Sequence, residues 1–123
     1  MNVVKSERGA AAVEFAMILP LLILIFFGII EFGRAYNIQL GVTQAARETV
    51  RHMAIKGDWV AAQAHGRAAS PSLQGAQMQL EVSPASCATG DTVTVVVKYP
   101  FDSLTGIAGD MMLTGKAAMR CGG

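Results

Sequence analysis

Charge is scarce in this chain, and so is the usual furniture of catalysis. Only 15% of its residues are Asp, Glu, Lys or Arg, and the formal net charge is +1. With no Lys/Arg cluster and no stripe of aromatics among basic residues, nothing recommends a nucleic acid or an acidic partner. Histidine occurs twice, as His52 and His65, and neither has an acidic or cysteine neighbour at metal-ligand spacing. No GxSxG, HExxH, P-loop or GxGxxG pattern is present. Asp102 and Ser103 follow Pro100 as ordinary turn residues, and Asp91 and Asp110 stand alone. The expectation is a chain that is not an enzyme, with no catalytic residue, metal or cofactor. Cysteine also occurs only twice, as Cys87 and Cys121, without a CxxC pair. Two readings of these thiols stand side by side. They pair if this half is exported to an oxidising compartment, or they are inert members of a small apolar core.

What is abundant is apolar side chain, 52% of the total, and it is unevenly spread. A length of 123 residues suits one small domain plus one membrane segment. From Phe15 to Ile30 the chain reads FAMILPLLILIFFGII without a charge. Ala10 to Glu14 lengthen this segment to roughly twenty residues, which at ~1.5 Å per residue spans a hydrocarbon core of ~30 Å. A soluble helix would carry a polar face, and this one has none. Pro20 is tolerable there, because membrane helices accept proline where neighbours satisfy the freed carbonyl. A cleaved secretory signal, with Lys5 and Arg8 as its basic region, is the rival reading. Against it stand the length of the run and the lack of an A-x-A site in Glu31-Phe32-Gly33-Arg34-Ala35. Lys5 and Arg8 before the span favour a cytoplasmic N-terminus, with the second half outside.

Before the span the chain reads Glu7-Arg8-Gly9-Ala10-Ala11-Ala12-Val13-Glu14-Phe15. A carboxylate at the head of an apolar helix is not what insertion selects. At mid-depth it would cost roughly 2.5–3.5 kcal/mol, and less near the interface. Glu14 therefore asks for a partner, unless it sits among headgroups as a favourable negative charge in the first helical turn. Gly9, Ala10 and Glu14-Phe15 resemble the prepilin pattern of a short basic leader, a glycine, and glutamate at the fifth mature position. Glu31-Phe32-Gly33-Arg34, then Ala45-Ala46-Arg47-Glu48 and Arg51, resemble the signature of TadE-like proteins, the minor pilins or pseudopilins of tight-adherence (Tad/Flp) pili. Phe15 stands where the Flp branch usually has tyrosine, and the chain is much longer than a major Flp pilin.

That resemblance implies cleavage between Gly9 and Ala10 by a prepilin peptidase, leaving an ammonium on Ala10 that meets the Glu14 carboxylate of a neighbouring subunit. It implies a role in pilus assembly or initiation and in surface adherence. The implied partners are the peptidase, sibling pseudopilins, the major Flp pilin, the inner-membrane Tad assembly platform and membrane lipid. The implied location is the bacterial inner membrane, crossed once with the head periplasmic or extracellular, and the pilus itself on incorporation. The alternatives are an unprocessed signal anchor whose exported head binds envelope or secretion components, and a small secreted domain.

Downstream, Phe32, Tyr36, Leu40, Thr43, Ala46, Val50 and Met53 recur at three- and four-residue steps, predicting an amphipathic helix to about residue 54 or on to 67, with Gly57-Asp58 as a candidate break. This stripe packs on the protein's own sheet, on sibling subunits, or on both. Ala69-Ser70-Pro71-Ser72 reads as a turn. Three strand-like stretches follow: Met78/Leu80/Val82, Val93/Val95/Val97/Tyr99 ended by Pro100, and Leu113/Ala117/Met119/Cys121. The expected fold is α+β, with a long N-terminal transmembrane helix continuing as a stalk and a small three-stranded antiparallel sheet packed on it. Its expected divisions are a leader (1–9), a transmembrane helix (10–32), a helical stalk (33–67), a linker (68–76) and a β head (77–123). If the second and third strands are antiparallel neighbours, Cys121 approaches the turn holding Cys87, within bridging range.

Overall fold

The computed structural model describes residues 3–122, with side chains from 6 to 122. Met1 and Asn2 of the expected leader, and Gly123 of the expected head, lie outside the described residues. The element order is α1 (Val3–Lys56), α2 (Trp59–Ala68), a 3-10 turn (Gly75–Gln77), β1 (Gln79–Ser83), β2 (Thr92–Asp102) and β3 (Asp110–Arg120). The fold is thus α+β, a long N-terminal apolar helix followed by a small antiparallel sheet. The chain forms two compact units, residues 1–33 and 34–123.

The first unit is helical throughout its described length. Leu, Ile, Ala, Phe and Met dominate it, and Pro20 lies inside the helix. Every side chain from Ser6 to Ile30 is exposed. Among the described residues, α1 is the one helix long and apolar enough to cross a membrane. Apolar side chains exposed on all faces suit a lipid surround, because water would leave them uncompensated. The chain fits a single-pass membrane protein.

The second unit begins at Arg34 with the rest of α1. Its buried face is Val42, Ala45, Ala46, Thr49, Val50, Met53 and Ala54. The lower part of the expected stripe lies within it. Tyr36 and Leu40, however, are exposed, and the buried line passes instead through the half-buried Ile38 to Val42 and Ala45. Small side chains make that choice. A Cβ on Gly115 of β3 would lie 2.8 Å from the Val42 carbonyl, so strand and helix backbone meet almost directly there.

Lys56 ends α1. Gly57 follows with φ of 66°, and its N–H donates to the Met53 carbonyl at 2.9 Å, a left-handed stop that favours glycine. Asp58 then caps α2, its carboxylate accepting the Ala61 N–H at 3.2 Å. The helix that the sequence allowed to run on to 67 is therefore two helices. Gly66 of α2 lies against Thr49 and the Ala45 carbonyl of α1, where a Cβ would collide with the Thr49 hydroxyl. Ser70 is buried and donates to the Gly41 carbonyl at 2.6 Å.

The sheet order is β1-β2-β3, antiparallel throughout. Period-two alternation sends Val93, Val95, Val97, Tyr99 and Phe101 of β2 into the core and leaves Thr92 and Asp102 exposed. On β1, Glu81 pairs with Lys98 of β2 across 3.2 Å. Contrary to expectation, Pro100 does not end β2, which continues to Asp102 with Pro100 opposite Met112. β1 reaches only as far as Lys98. Pro100 therefore lies where β2 is an edge on that side, a place where a residue without N–H is tolerated.

Candidate functional site

Gly9, Ala10, Glu14 and Phe15 all lie inside α1 with exposed side chains, so the expected scissile bond is helical rather than extended. A Cβ on Gly9 would meet nothing within 4 Å. Ala10 and Glu14 are four residues apart in the helix, one above the other on the same face. Farther along, Glu31 is buried and Phe32 and Gly33 are exposed.

In the second unit the remaining motif residues do structural work. Arg34 donates to the Asp102 carbonyl at 3.4 Å, and its guanidinium lies 5.5 Å from the centre of the Phe101 ring. This one side chain holds the far end of β2 against the start of the unit. Ala45 and Ala46 are fully buried, and the Ala45 carbonyl accepts from the Thr49 hydroxyl at 2.7 Å. Arg47 and Arg51 are exposed, and Glu48 is half-buried. Arg47 borders an open groove with Gln39, Leu40, Thr43 and Gln44. Glu48 and Arg51 line a shallow cavity of about 240 Å³ with His52, Ile55, Lys56 and His65.

Cys87 and Cys121 are joined in a disulfide, with Cα atoms 5.6 Å apart. The strand register accounts for the approach. Thr92 faces Arg120, and the Cys121 N–H donates to the Asp91 carbonyl at 2.7 Å. The link clips the end of β3 to the loop entering β2, and Gly122 then donates to the Ala54 carbonyl of α1 at 3.0 Å.

Three features escaped sequence reasoning. His52 and His65 stack, with ring centroids 4.2 Å apart and planes 22° from parallel. They sit on different helices, so no spacing rule connects them. Arg67 donates to the Gly75 carbonyl at 3.0 Å and reaches the Met78 carbonyl at 3.5 Å, tying α2 to the entry of β1. Gln39 spans from α1 to the Thr114 carbonyl of β3 at 2.9 Å. Among the described residues, no group of three or more His, Cys, Asp or Glu could hold a metal ion.

One apolar helix and a small disulfide-clipped α+β head define the class: a chain that fits a single-pass membrane protein. The family model of TadE-like proteins matches residues 9–51. Over that segment, about a third of the chain, it is similar to TadE-like proteins. The match opens on Gly9, closes on Arg51, and takes in Glu14-Phe15, Glu31 to Arg34 and Ala45 to Glu48. No curated protein and no solved structure matches the chain.

Proposed function

We propose that the chain is a minor pilin or pseudopilin of a Tad/Flp pilus. On this reading it is stored in the inner membrane by its span and cleaved between Gly9 and Ala10 by a prepilin peptidase. It then acts in assembly or initiation of a fibre that serves adherence. The observation that carries the proposal is the TadE-like match beginning at Gly9 and including a carboxylate, Glu14, at the head of the apolar run. Partners on this reading are the peptidase, sibling pseudopilins, the major Flp pilin and the inner-membrane assembly platform, with the head on the outer side of the membrane. The TadE-like family is not an enzyme family, and the exposed arginines and shallow cavity suit protein contact better than turnover.

The roles of the site residues follow from their chemistry. Because Gly9 and Ala10 lie in helix, a peptidase must first unwind that turn, and glycine makes this cheaper by about 0.5–1 kcal/mol relative to alanine. Once cleaved, Ala10 carries an ammonium. A Glu14 carboxylate from a neighbouring chain would compensate that charge in lipid and set the axial register between subunits.

The test is the N-terminal sequence and intact mass of the membrane-extracted chain from cells with and without a prepilin peptidase. A peptidase-dependent start at Ala10 is expected, and Gly9→Ala should slow its appearance by about two- to fivefold without affecting folding, since that Cβ meets nothing. A chain still beginning at Met1 in the presence of the peptidase would make it a plain signal anchor and defeat the proposal.

A further inference from the structure

The small sheet has two open edges, and its register shows which polar groups they present. In an antiparallel pair each residue turns its N–H and C=O together toward one side, and successive residues alternate. On β3 the Cys121 N–H donates to the Asp91 carbonyl on the β2 side, whereas the Thr114 carbonyl takes a bond from Gln39. Odd-numbered residues of β3 therefore bond to β2, and the even-numbered ones, Met112 to Arg120, turn their polar groups outward. Odd pairs with odd across β2 and β3, so the even residues of β2 bond to β1. There Thr94, Val96 and Lys98 pair with Ser83, Glu81 and Gln79, which leaves Leu80 and Val82 facing the opposite outer edge. Among the described residues, the Gln39 bond to Thr114 is the one bond that any of these outward groups makes.

The two edges match in length, charge and face. Beyond the capped Thr114, the open part of β3 runs from Lys116 to Arg120, as many residues as β1 has from Gln79 to Ser83. β1 and β3 are both antiparallel to β2, so they point the same way. A second head, turned as the first, would bring its β1 to this β3 in parallel. In parallel pairing an outward residue bonds to two alternate residues of the other strand. Ala118 then lies opposite Glu81 of the second copy, donating to the Leu80 carbonyl and accepting from the Val82 N–H. In that register the Glu81 carboxylate falls between Lys116 and Arg120, both exposed, and beside the small Ala118. Within its own chain Glu81 meets Lys98 through Oε1 at 3.2 Å. On the core face, the half-buried Leu80 and Val82 meet Ala117 and Met119, the last 36% exposed. A shift by one residue would set core-facing side chains against solvent-facing ones. A shift by two toward the β2–β3 turn would set β1 against the capped Thr114.

We propose that β1 of one copy pairs in parallel with residues 116–120 of β3 in another, continuing the three-stranded sheet from head to head. The interface is head-to-tail, so every added copy fills one edge and offers the next. Lys116 and Arg120 guard the β3 edge against an arbitrary strand, and the carboxylate of Glu81 suits this one. Five residues in parallel make a weak contact, so the association is reversible. The pairing goes beyond the pilus reading and stands on the sheet alone.

The experiment mixes light and isotopically heavy full chains in detergent micelles at high protein concentration and adds a water-soluble carbodiimide. This reagent joins an ammonium to a carboxylate with loss of water and leaves no spacer, so it links groups that touch. Mass spectrometry identifies the linked peptides, with Lys98–Glu81 within one chain as the internal standard. In a single chain Lys116 and Glu81 both face Val96, two strand spacings or about 10 Å apart, so the isotopes are needed to assign a link between copies. Mixed-isotope Lys116–Glu81 products are expected in excess over mixed products of Lys56. Their absence while the standard forms, or an even spread over all lysines, overturns the pairing. Ala118→Pro removes one outward N–H and no β2–β3 bond. When heavy A118P is mixed with light parent, links from heavy Lys116 to light Glu81 should be lost, while links from light Lys116 to heavy Glu81 persist. Loss of neither, or of both with the standard still forming in the heavy chain, contradicts a pairing of this polarity. Ala118→Glu, which sets a carboxylate against Glu81 and removes no N–H, is the second variant, and should show the same one-sided loss even if A118P does not fold.

Discussion

At the scale of single residues, two glycines set how closely the head packs. Gly115 faces backbone, with a virtual Cβ 2.8 Å from the Val42 carbonyl carbon and oxygen and 2.9 Å from the Thr43 nitrogen. Gly66 faces mainly the Thr49 side chain, which is held by its bond to the Ala45 carbonyl. A side chain can turn aside, whereas a helix backbone inside a packed core must shift bodily. Gly115→Ala should therefore lower the stability of the head by about 1–3 kcal/mol, as overpacking does, and Gly66→Ala by less. Thermal melting of the detergent-solubilised chain followed by circular dichroism measures both, and a larger loss for Gly66→Ala would contradict this ranking. Neither contact was legible in the sequence. A glycine in a strand-like stretch announces close approach to something, but not to what.

Among elements, the disulfide and the ends of α1 and α2 decide how the small head holds together. The sheet has three strands, one of them only Gln79–Ser83, so its core is modest. The Cys87–Cys121 bridge closes a 34-residue separation and anchors the last strand. Reduction, or Cys87→Ser with Cys121→Ser, should cost the head roughly 2–4 kcal/mol. Two readouts check this: a lower melting temperature in reductant, and altered mobility on a non-reducing gel. Equal melting with and without reductant would remove the bridge from any account of stability. The approach of the cysteines was legible before the structure, because antiparallel neighbours of matching length bring the end of one strand beside the start of the other. The break between α1 and α2 was legible only as a choice. Gly57-Asp58 carries both a left-handed stop and an N-cap, yet a single glycine within a long helical pattern is also tolerated.

For the whole molecule, the question is why a carboxylate stands at the head of a helix that otherwise offers lipid nothing but hydrocarbon. Glu14 is exposed, like the apolar side chains beyond it. Under the proposed function its compensation comes from another chain. Glu14→Ala should insert into the membrane as well as the parent, or slightly better, since a charge is removed from the span. It should nevertheless fail to enter fibres or to support their initiation, as read by pilus yield and by immunodetection of the chain in sheared pili. Normal fibres containing this variant would leave Glu14 as a headgroup-level charge and argue against the pilin role.

The sequence by itself determined the features that depend on local composition and period. A charge-free run of sixteen residues, lengthened by Ala10 to Val13, is apolar enough to suit a membrane-crossing helix, and strict alternation in β2 selects which of its side chains are buried. The residues from Gly9 to Arg51 that resemble prepilin and TadE-like patterns lie within the span of the family match. Only the tertiary structure decided which face of α1 is core. Apolar residues lie on more than one side of that helix, so helical period favoured Tyr36 and Leu40 as much as Val42 and Ala45. The choice fell to Gly115, which is far away in sequence and small enough to admit the helix backbone. Pro100 stayed in β2 for a similar reason, because β1 is too short to need its missing donor. The direction of the hairpin along residues 34–56 came from contacts between residues 68 to 73 apart, from Arg34 to Asp102 and from Gly115 to the turn of helix at Val42. Such contacts form only when the chain closes on itself, and no local pattern encodes which of them prevail.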